Sequence, residues 1–278
     1  MLAVGISEFA WIPKQLRPIP GNLLTHSSQH RNASELVGKE VAVIGGGASA
    51  IDLAAALHGQ DAKVCIIARR SEINFHNPPP PGQRTLKEKL RNPSSGLGPG
   101  WKSRAFTEVP NLFRRLPAKL RVKLVREHLG PAPGWPMRER VMGKVPMLLG
   151  TRNLTANVLD GKVQLLFLDL SCRRTEYLAD HVIAATGYRA DVRRLKFLSQ
   201  SIQEQLRTIS GAPELSSRFE SSVPGLYFVG LASANSFGPM MRFAFGADYT
   251  SRLLARHLQR KVRARRTSVV AYPKEALN

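Results

Sequence analysis

The stretch "VAVIGGGASAIDLAAAL", Val41 to Leu57, decides the fold. Four apolar residues, Val41–Ile44, lead into Gly45, Gly46 and Gly47. An alanine-rich segment follows, with Ala50, Ile51, Leu53, Ala54 and Leu57 at helical spacing and Gly59 placed to end it. A continuous apolar run suits a strand of a parallel sheet covered on both faces. "AKVCIIARR", Ala62–Arg70, reads as the next strand. Strand, glycine turn, helix and strand make a βαβ unit.

The spacing Gly45-x-Gly47-x-x-Ala50 is the G-x-G-x-x-A form of a dinucleotide-binding turn. Gly45 permits the tight turn, Gly47 lets a pyrophosphate approach the backbone, and Ala50 keeps helix and strand close. Gly46, Ala48 and Ser49 complete the loop at the helix N-terminus. Unpaired N–H groups and the helix dipole both favour phosphate there. A ligand-free glycine turn is the plainer alternative, but the flanking strands and helix argue against it. The end of the second strand selects the ligand. An NAD site offers a carboxylate to the ribose hydroxyls at this place, whereas this chain has Arg69 and Arg70. Guanidinium groups suit a 2′-phosphate, so the expected nucleotide is NADPH. Arg69 and Arg70 as part of a merely basic surface is the competing account.

The chain has 278 residues, 43% of them hydrophobic, which is enough for a sizeable core and two domains. No apolar run is long enough to span a membrane, and "MLAVGISEFAWIP" lacks the basic start and cleavage site of a signal peptide. A cytoplasmic protein is expected. Cys65 and Cys172 form no CxxC pair and are expected as inert thiols in strands. No metal site is indicated. The net charge is +21, and residues 76–150 hold 15 Lys and Arg against 4 acidic residues. Such a field favours anionic partners. The charges are dispersed, and no helix-turn-helix, RNP-type motif or zinc spacing accompanies them. A solvated basic surface is therefore expected, with no nucleic acid as partner.

Residues 76–150 also hold 12 of the 19 prolines. "NPSSGLGPGW", "LGPAPGW" and "KVPMLLG" read as ordered turns, and "LPAKLRVKLVREHLG" as a basic amphipathic helix with Pro117 in its first turn. Trp101, Phe106, Phe113 and Trp135 are expected to anchor this insertion onto the nucleotide domain. Residues 12–36 read as a loop. "KVQLLFLDL" and "TEYLADHVIAATGY" read as strands joined through "SCRR", and "VPGLYFVG" as a further buried strand. A closing helix presents Ala247, Ser251, Leu254 and Leu258 on one face, and its basic end runs from Arg260 to Arg266.

Several pieces together resemble a known family. "LAVG" (Leu2–Gly5) and "AATGY" (Ala184–Tyr188) are similar to the paired strand ends at which two-dinucleotide-binding flavoproteins cross between their FAD and NADPH domains. "HSSQH" (His26–His30) resembles a segment that precedes the NADPH domain in flavin-dependent N-hydroxylases. "PGLYFVGL" with "FGPMMRFAFGA" resembles the strand, turn and helix that close the FAD site. The resemblance covers nearly the whole chain. It is to the flavin-containing monooxygenase-like and N-hydroxylase-like FAD- and NAD(P)H-dependent oxidoreductases.

The resemblance implies an α/β fold: a Rossmann-like three-layer NAD(P)H-binding domain inserted in a partial FAD-binding domain. Residues 38–178 would form the NADPH domain, and 1–37 with 179–278 the partial FAD domain. It implies FAD beside NADPH, hydride transfer to the flavin, and oxygenation of a small-molecule substrate. Thr186, Gly187, Phe237, Gly238 and Arg242 would lie at the cofactors. Arg242 either stabilises negative charge near flavin or nicotinamide, or forms an ion pair. His26 is expected in a turn or capping role. Asp52 would orient backbone or cofactor groups. No catalytic side chain is implied. The family's first glycine turn, which holds the adenosine and pyrophosphate of FAD, has no counterpart before Val41, so the chain reads as starting inside its FAD domain. A non-catalytic NADPH-binding module or partner subunit is the alternative.

Overall fold

The computed structural model describes residues 1–30, 34–79, 82 and 84–270, with side chains described to Ala264. Pro80 and Pro81 of the proline run, and the side chains of Arg265 and Arg266, lie outside the described residues. In chain order the strands are β1 (Leu24–His26), β2 (Glu40–Ile44), β3 (Lys63–Ala68), β4 (Met147–Leu149), β5 (Arg152–Leu159), β6 (Lys162–Leu168), β7 (Arg174–Ala179), β8 (His181–Ala184), β9 (Thr208–Ile209) and β10 (Ala212–Pro213). The helices are α1 (Ala48–His58), α2 (Leu86–Arg91), α3 (Trp101–Glu108), α4 (Pro110–Phe113), α5 (Ala118–Glu127), α6 (Met137–Val141), α7 (Gln200–Gln205), α8 (Ala234–Phe237) and α9 (Gly246–Val270).

The chain divides into two compact units. The first, the nucleotide-turn unit, comprises Phe9–Gly82 and Leu129–Arg189. Its centre is a five-stranded parallel sheet in the order β1-β8-β2-β3-β4. Alternation along β2 and β3 explains their unbroken apolar sequence. Val41, Val43, Val64 and Ile66 face α1 and share a core with Ala50, Ile51, Ala54 and Leu57. Ala42, Ile44, Cys65 and Ile67 face the other way, onto Val163, Leu165 and Phe167 of a three-stranded antiparallel sheet, β5-β6-β7. Helix, parallel sheet and antiparallel sheet are the three layers, so β2 and β3 are covered on both faces as their composition requires. This bears out the Rossmann-like α/β expectation.

Two elements of this unit differ from expectation. "KVPMLLG" is not only a turn: Met147–Leu149 extends the sheet as β4, paired with Ile66–Ala68. Residues 12–36 are not all loop, because Leu24–His26 pairs with Val182–Ala184. Each strand is three residues long, too short for an alternation to show. The cysteines also separate. Cys65 is buried in β3, and burial pushes its thiol up to about 11, which leaves it unreactive. Cys172 is not in a strand; it is exposed in the β6–β7 turn with φ at +58°.

A polar knot fastens β1 to β8. The Thr25 hydroxyl lies 2.6 Å from His30 Nε2 and 2.7 Å from His181 Nε2. One hydroxyl can donate to one ring nitrogen and accept from the other ring's Nε2–H, which joins all three side chains. Burial holds both histidines below their ordinary 6.5, against Glu35 on His30 and with Lys39 on His181. A lowered folded-state value means that the unfolded chain takes up protons first. The stability is present at neutral pH and is lost as pH falls from 6.5 towards the folded values. Each ring contributes up to about 1.4 kcal/mol per pH unit in that window. Urea unfolding between about pH 7.5 and about pH 5 is expected to show this loss, and His30→Asn with His181→Asn to flatten it. An equal slope in the variant would remove these histidines as the cause.

The second unit comprises Met1–Glu8, Gln83–His128 and Ala190–Asn278. Residues 83–128 therefore pack with the C-terminal segment, whereas the sequence grouped them with the nucleotide domain. "LPAKLRVKLVREHLG" forms α5 with Pro117 as its N-cap. The segment before it is more helical than its prolines suggest, with α2 capped by a reciprocal Thr85–Glu88 box and α4 started at Pro110. Phe113 is buried, while Trp101 is exposed and does not anchor. "VPGLYFVG" forms isolated bridges and no named strand: Leu2 pairs with Phe228, and Glu220 with Tyr227. On α9 the buried stripe holds Thr250 and Leu254, while Ala247 and Ser251 are exposed.

Candidate functional site

The glycine turn sits where β2 meets α1. The Gly45 N–H donates to the Ile67 carbonyl (2.9 Å), and Ala185 N–H donates to the Ile44 carbonyl (3.0 Å). Gly45 has φ at +145°, and a Cβ there would overlap the Ala185 carbonyl oxygen. Glycine is therefore required by the backbone itself. Gly46 is closed on by Ile73, whose Cδ1 would lie 3.0 Å from an added Cβ. Gly47 is the N-cap of α1, and a Cβ on it would lie 3.1 Å from Pro131 Cβ and Cγ. Ala50 is buried against the sheet, as its motif position requires.

Helix α1 has 11 residues and no side-chain cap at its start. Its first N–H groups, on Ala48 and Ser49, lack partners inside the helix by geometry. Ala48 is half-buried and Ser49 exposed. The donor set and the dipole direction fit a diphosphate. Asp52 is largely exposed one turn further on; partial desolvation of its carboxyl by the surrounding chain raises it, with Arg140 opposing.

Arg69 and Arg70 follow β3 and are exposed. The Arg70 carbonyl accepts from Gly150 N–H (2.7 Å), which fixes the backbone there. Neither guanidinium has a hydrogen bond or ion pair among the described residues. Two unengaged guanidinium groups at the end of the second strand fit a 2′-phosphate. The Gly130–Pro131 loop lies over both features: Pro131 on Gly47, and Gly130 with the Arg70 Nη2 3.2 Å from its added-Cβ position. This loop lies in the "LGPAPGW" stretch read as an ordered turn; its packing on Gly47 is a long-range contact with no local signal.

Thr186 and Gly187 lie in the same unit and are engaged by the chain. The Thr186 hydroxyl donates to the Trp11 carbonyl. The Gly187 carbonyl accepts from Trp11 N–H (2.9 Å) and from His26 Nε2 (3.1 Å). His26 Nδ1 accepts from Ser28 N–H (3.2 Å) in a capping box with Gln29, so it has the turn role expected of it. Arg189 lies 3.5 Å over the Trp11 ring. These contacts pin residues 9–11 beside the end of β8 and engage Thr186 and Gly187 within this unit.

The other assigned residues lie in the second unit. Phe237 is fully buried and stacked on Phe219, with ring centroids 3.9 Å apart. Gly238 has φ at +100°, and the Phe113 ring lies 3.3 Å from its added-Cβ position. Arg242 Nη1 donates to the carbonyls of Val125 (2.8 Å) and His128 (3.0 Å) at the C-terminal end of α5. A cation there complements the helix dipole. Burial lowers Arg242, and burial together with Lys102 and Arg242 lowers His128. Gly246 packs on the Met240 carbonyl, 2.7 Å from its added-Cβ position. Every residue that the resemblance gives to the flavin is thus engaged inside the unit. The sequence also holds no second G-x-G-x-x-G turn for another diphosphate. Among the described residues the donors suited to a diphosphate are the N–H groups at the start of α1, with Arg69 and Arg70 at the end of β3.

A family model described as pyridine nucleotide-disulphide oxidoreductase matches residues 9–92. No curated protein matches the sequence. Among solved structures, the cadaverine monooxygenase of desferrioxamine biosynthesis from Erwinia amylovora, bound to FAD, superposes with a TM-score of 0.65 at 17% identity, over 91% of this chain and 59% of that one. The reduced form of ornithine hydroxylase from Pseudomonas aeruginosa gives 0.64 at 18% identity, over 90% and 60%. The ornithine N-hydroxylase of Kutzneria sp. 744, with reduced FAD, NADP+ and L-ornithine, gives 0.63 at 14% identity, over 87% and 60%. The chain thus has the fold of FAD/NADPH flavin monooxygenases and spans about six tenths of the length of these structures. No described helix is long and apolar enough to cross a membrane.

Proposed function

We propose that this chain binds NADPH and serves as the NADPH-binding part of an FAD-dependent, monooxygenase-like oxidoreductase acting on a small molecule in the cytoplasm. The observation that carries the proposal is the pairing of an uncapped glycine turn with the unengaged Arg69 and Arg70 at the end of β3. The fold supports the oxidoreductase class. The chain's own residues have defined tasks. Gly45 shapes the turn, the N–H groups of Gly47, Ala48 and Ser49 receive the diphosphate, and Arg69 and Arg70 receive the 2′-phosphate. Phe237, Gly238, Arg242 and Gly246 hold the second unit's own core.

That last feature favours a second reading: an NADPH-binding module with no turnover of its own. One experiment separates the two. The purified chain is mixed with NADPH and saturating FAD, and NADPH absorbance, oxygen uptake and protein-bound flavin colour are followed. Tight NADPH binding is expected in both readings. Turnover with bound yellow flavin supports the oxidoreductase; a colourless chain that binds NADPH without oxidising it supports the module. A chain that binds no NADPH rules out both.

A further inference from the structure

The second unit carries an apolar ridge that lies open to solvent. Helix α2 has no buried residue. Leu86 is 79% exposed and Leu90 72%, and one turn of helix sets them side by side. Trp101, 61% exposed, starts α3 and donates its indole N–H to the Leu90 carbonyl (3.1 Å). Single exposed leucines are ordinary, but three large apolar side chains joined in this way mark a contact surface. The ridge is held in place. The Thr85–Glu88 box caps α2, and Arg84 ties it to the turn that follows: Nη1 donates to Ser94 Oγ (2.9 Å) and Nη2 to the Glu88 carbonyl (3.1 Å). Cations frame it. By helical repeat, Lys87 and Lys89 fall on either side of the leucine line, and Glu88 falls opposite. Arg91 and Lys102 come directly after Leu90 and Trp101. All four cations are exposed, and none has an ion pair among the described residues. The nearby carboxylates are engaged: Glu88 accepts from Thr85 N–H (2.9 Å), and Glu108 from Arg104 Nε (2.7 Å).

We propose that this face rests on an anionic membrane surface, with Leu86, Leu90 and Trp101 in the headgroup boundary and the flanking cations on lipid phosphates. Charge complementarity and the layering of the face select this occupant. A nucleic acid would engage the cations and leave two leucines in water. A membrane boundary takes both, because its phosphates lie directly above its apolar chains. Lysine and arginine stems reach past an apolar ridge to the phosphates. Tryptophan favours the same boundary. The Leu90 carbonyl already accepts the Trp101 N–H, so the ring enters without an unpaired donor. No described helix can cross the bilayer, so the contact is peripheral. It does not depend on NADPH, and a chain that binds no nucleotide would leave it standing.

Vesicle sedimentation and tryptophan emission test this. The vesicles are phosphatidylglycerol with phosphatidylcholine in equal parts, or phosphatidylcholine alone. The wild type is expected to bind the mixed vesicles and not the neutral ones, and its emission to shift to the blue. Trp101→Phe is expected to abolish that shift, which marks Trp101 as the inserted ring among the three tryptophans. Joint replacement Lys87→Gln, Lys89→Gln and Arg91→Gln is expected to weaken binding by about 100-fold, from about fivefold per charge. Leu86→Ala with Leu90→Ala is expected to weaken it by about tenfold or more with every charge kept. Unaltered binding in the leucine variant means adhesion by the net charge of +21 alone and overturns the proposal. So does an absence of vesicle binding. Binding of duplex DNA or poly-glutamate that falls equally with the leucines assigns the face to an acidic macromolecule instead. Self-association that the leucine variant abolishes assigns it to a second copy. The substituted side chains are exposed and alanine suits a helix, so melts like the wild type's are expected. If the leucine variant unfolds, the emission still decides: a shift retained in Trp101→Phe overturns the proposal.

Discussion

Replacing Arg69 and Arg70 together by alanine is expected to weaken NADPH binding by about 30- to 100-fold and to leave NADH binding within about twofold. A charge-assisted hydrogen bond is worth about 1.5–3 kcal/mol. Both guanidinium groups are exposed, so the low end applies, and two such contacts give about 2–3 kcal/mol. NADH lacks the 2′-phosphate and so loses only the weak general attraction of two positive charges. The measurement is a pair of titrations at fixed salt, because surface charge is screened over about 8–10 Å at ordinary ionic strength. Equal losses for both nucleotides would mean that the arginines act only as part of the basic surface. The unfolding free energy is expected to stay close to that of the wild type, since neither side chain has a partner to lose.

The second large effect is at Gly45. Gly45→Ala places a Cβ against the Ala185 carbonyl oxygen while φ stays at +145°. That conformation costs an L-residue about 1–3 kcal/mol, and overpacking against backbone adds about 1–3 kcal/mol. A loss of about 3–5 kcal/mol is a large share of the stability of an ordinary domain. The variant is expected to melt far lower or to accumulate insoluble, and to bind no NADPH. Gly47→Ala is the informative contrast. Its φ of −99° suits any residue, and its new methyl would meet the Pro131 ring 3.1 Å from Cβ and Cγ, so the Pro131 loop must give by a few tenths of an ångström. Its stability is expected to fall by about 1 kcal/mol, while NADPH weakens by about tenfold or more, since a pyrophosphate needs close approach to the backbone at this glycine and a displaced Pro131 loop would disturb it. Unfolding followed by chemical denaturation, alongside NADPH titration, separates the two. If both variants lose stability equally, Gly47 is a packing residue and the turn has no role specific to phosphate.

Much of the nucleotide-turn unit was legible because both its signals are local. Val41–Ile44 and Val64–Ala68 are apolar without a break, and the three-layer fold buries both of their faces. Gly45, Gly47 and Ala50 stand at spacings fixed by backbone approach. The short strands β1 and β4 escaped, because three residues carry no period and their place depends on pairing with β8 and β3. The partners of the glycine turn escaped for a similar reason. Ala185 and Pro131 lie 140 and 84 residues away from Gly45 and Gly47, and nothing near the motif announces them. In the second unit, resemblance pointed to Arg242 and Gly238, but only coordinates show that Arg242 caps α5 and that Phe113 covers Gly238. Trp101 and Trp135 illustrate the opposite error. Large apolar side chains read as anchors, yet both are exposed, and for Trp135 that exposure opens onto a cleft.

The central claim is that the turn at Gly45–Ala50 receives the diphosphate of NADPH with the 2′-phosphate on Arg69 and Arg70. A crystal structure of the chain with NADPH tests it most directly. The diphosphate is expected over the N–H groups of Gly47, Ala48 and Ser49, and the 2′-phosphate within hydrogen-bonding distance of Arg69 or Arg70. A diphosphate bound elsewhere, or a 2′-phosphate pointing away from both arginines, would contradict it.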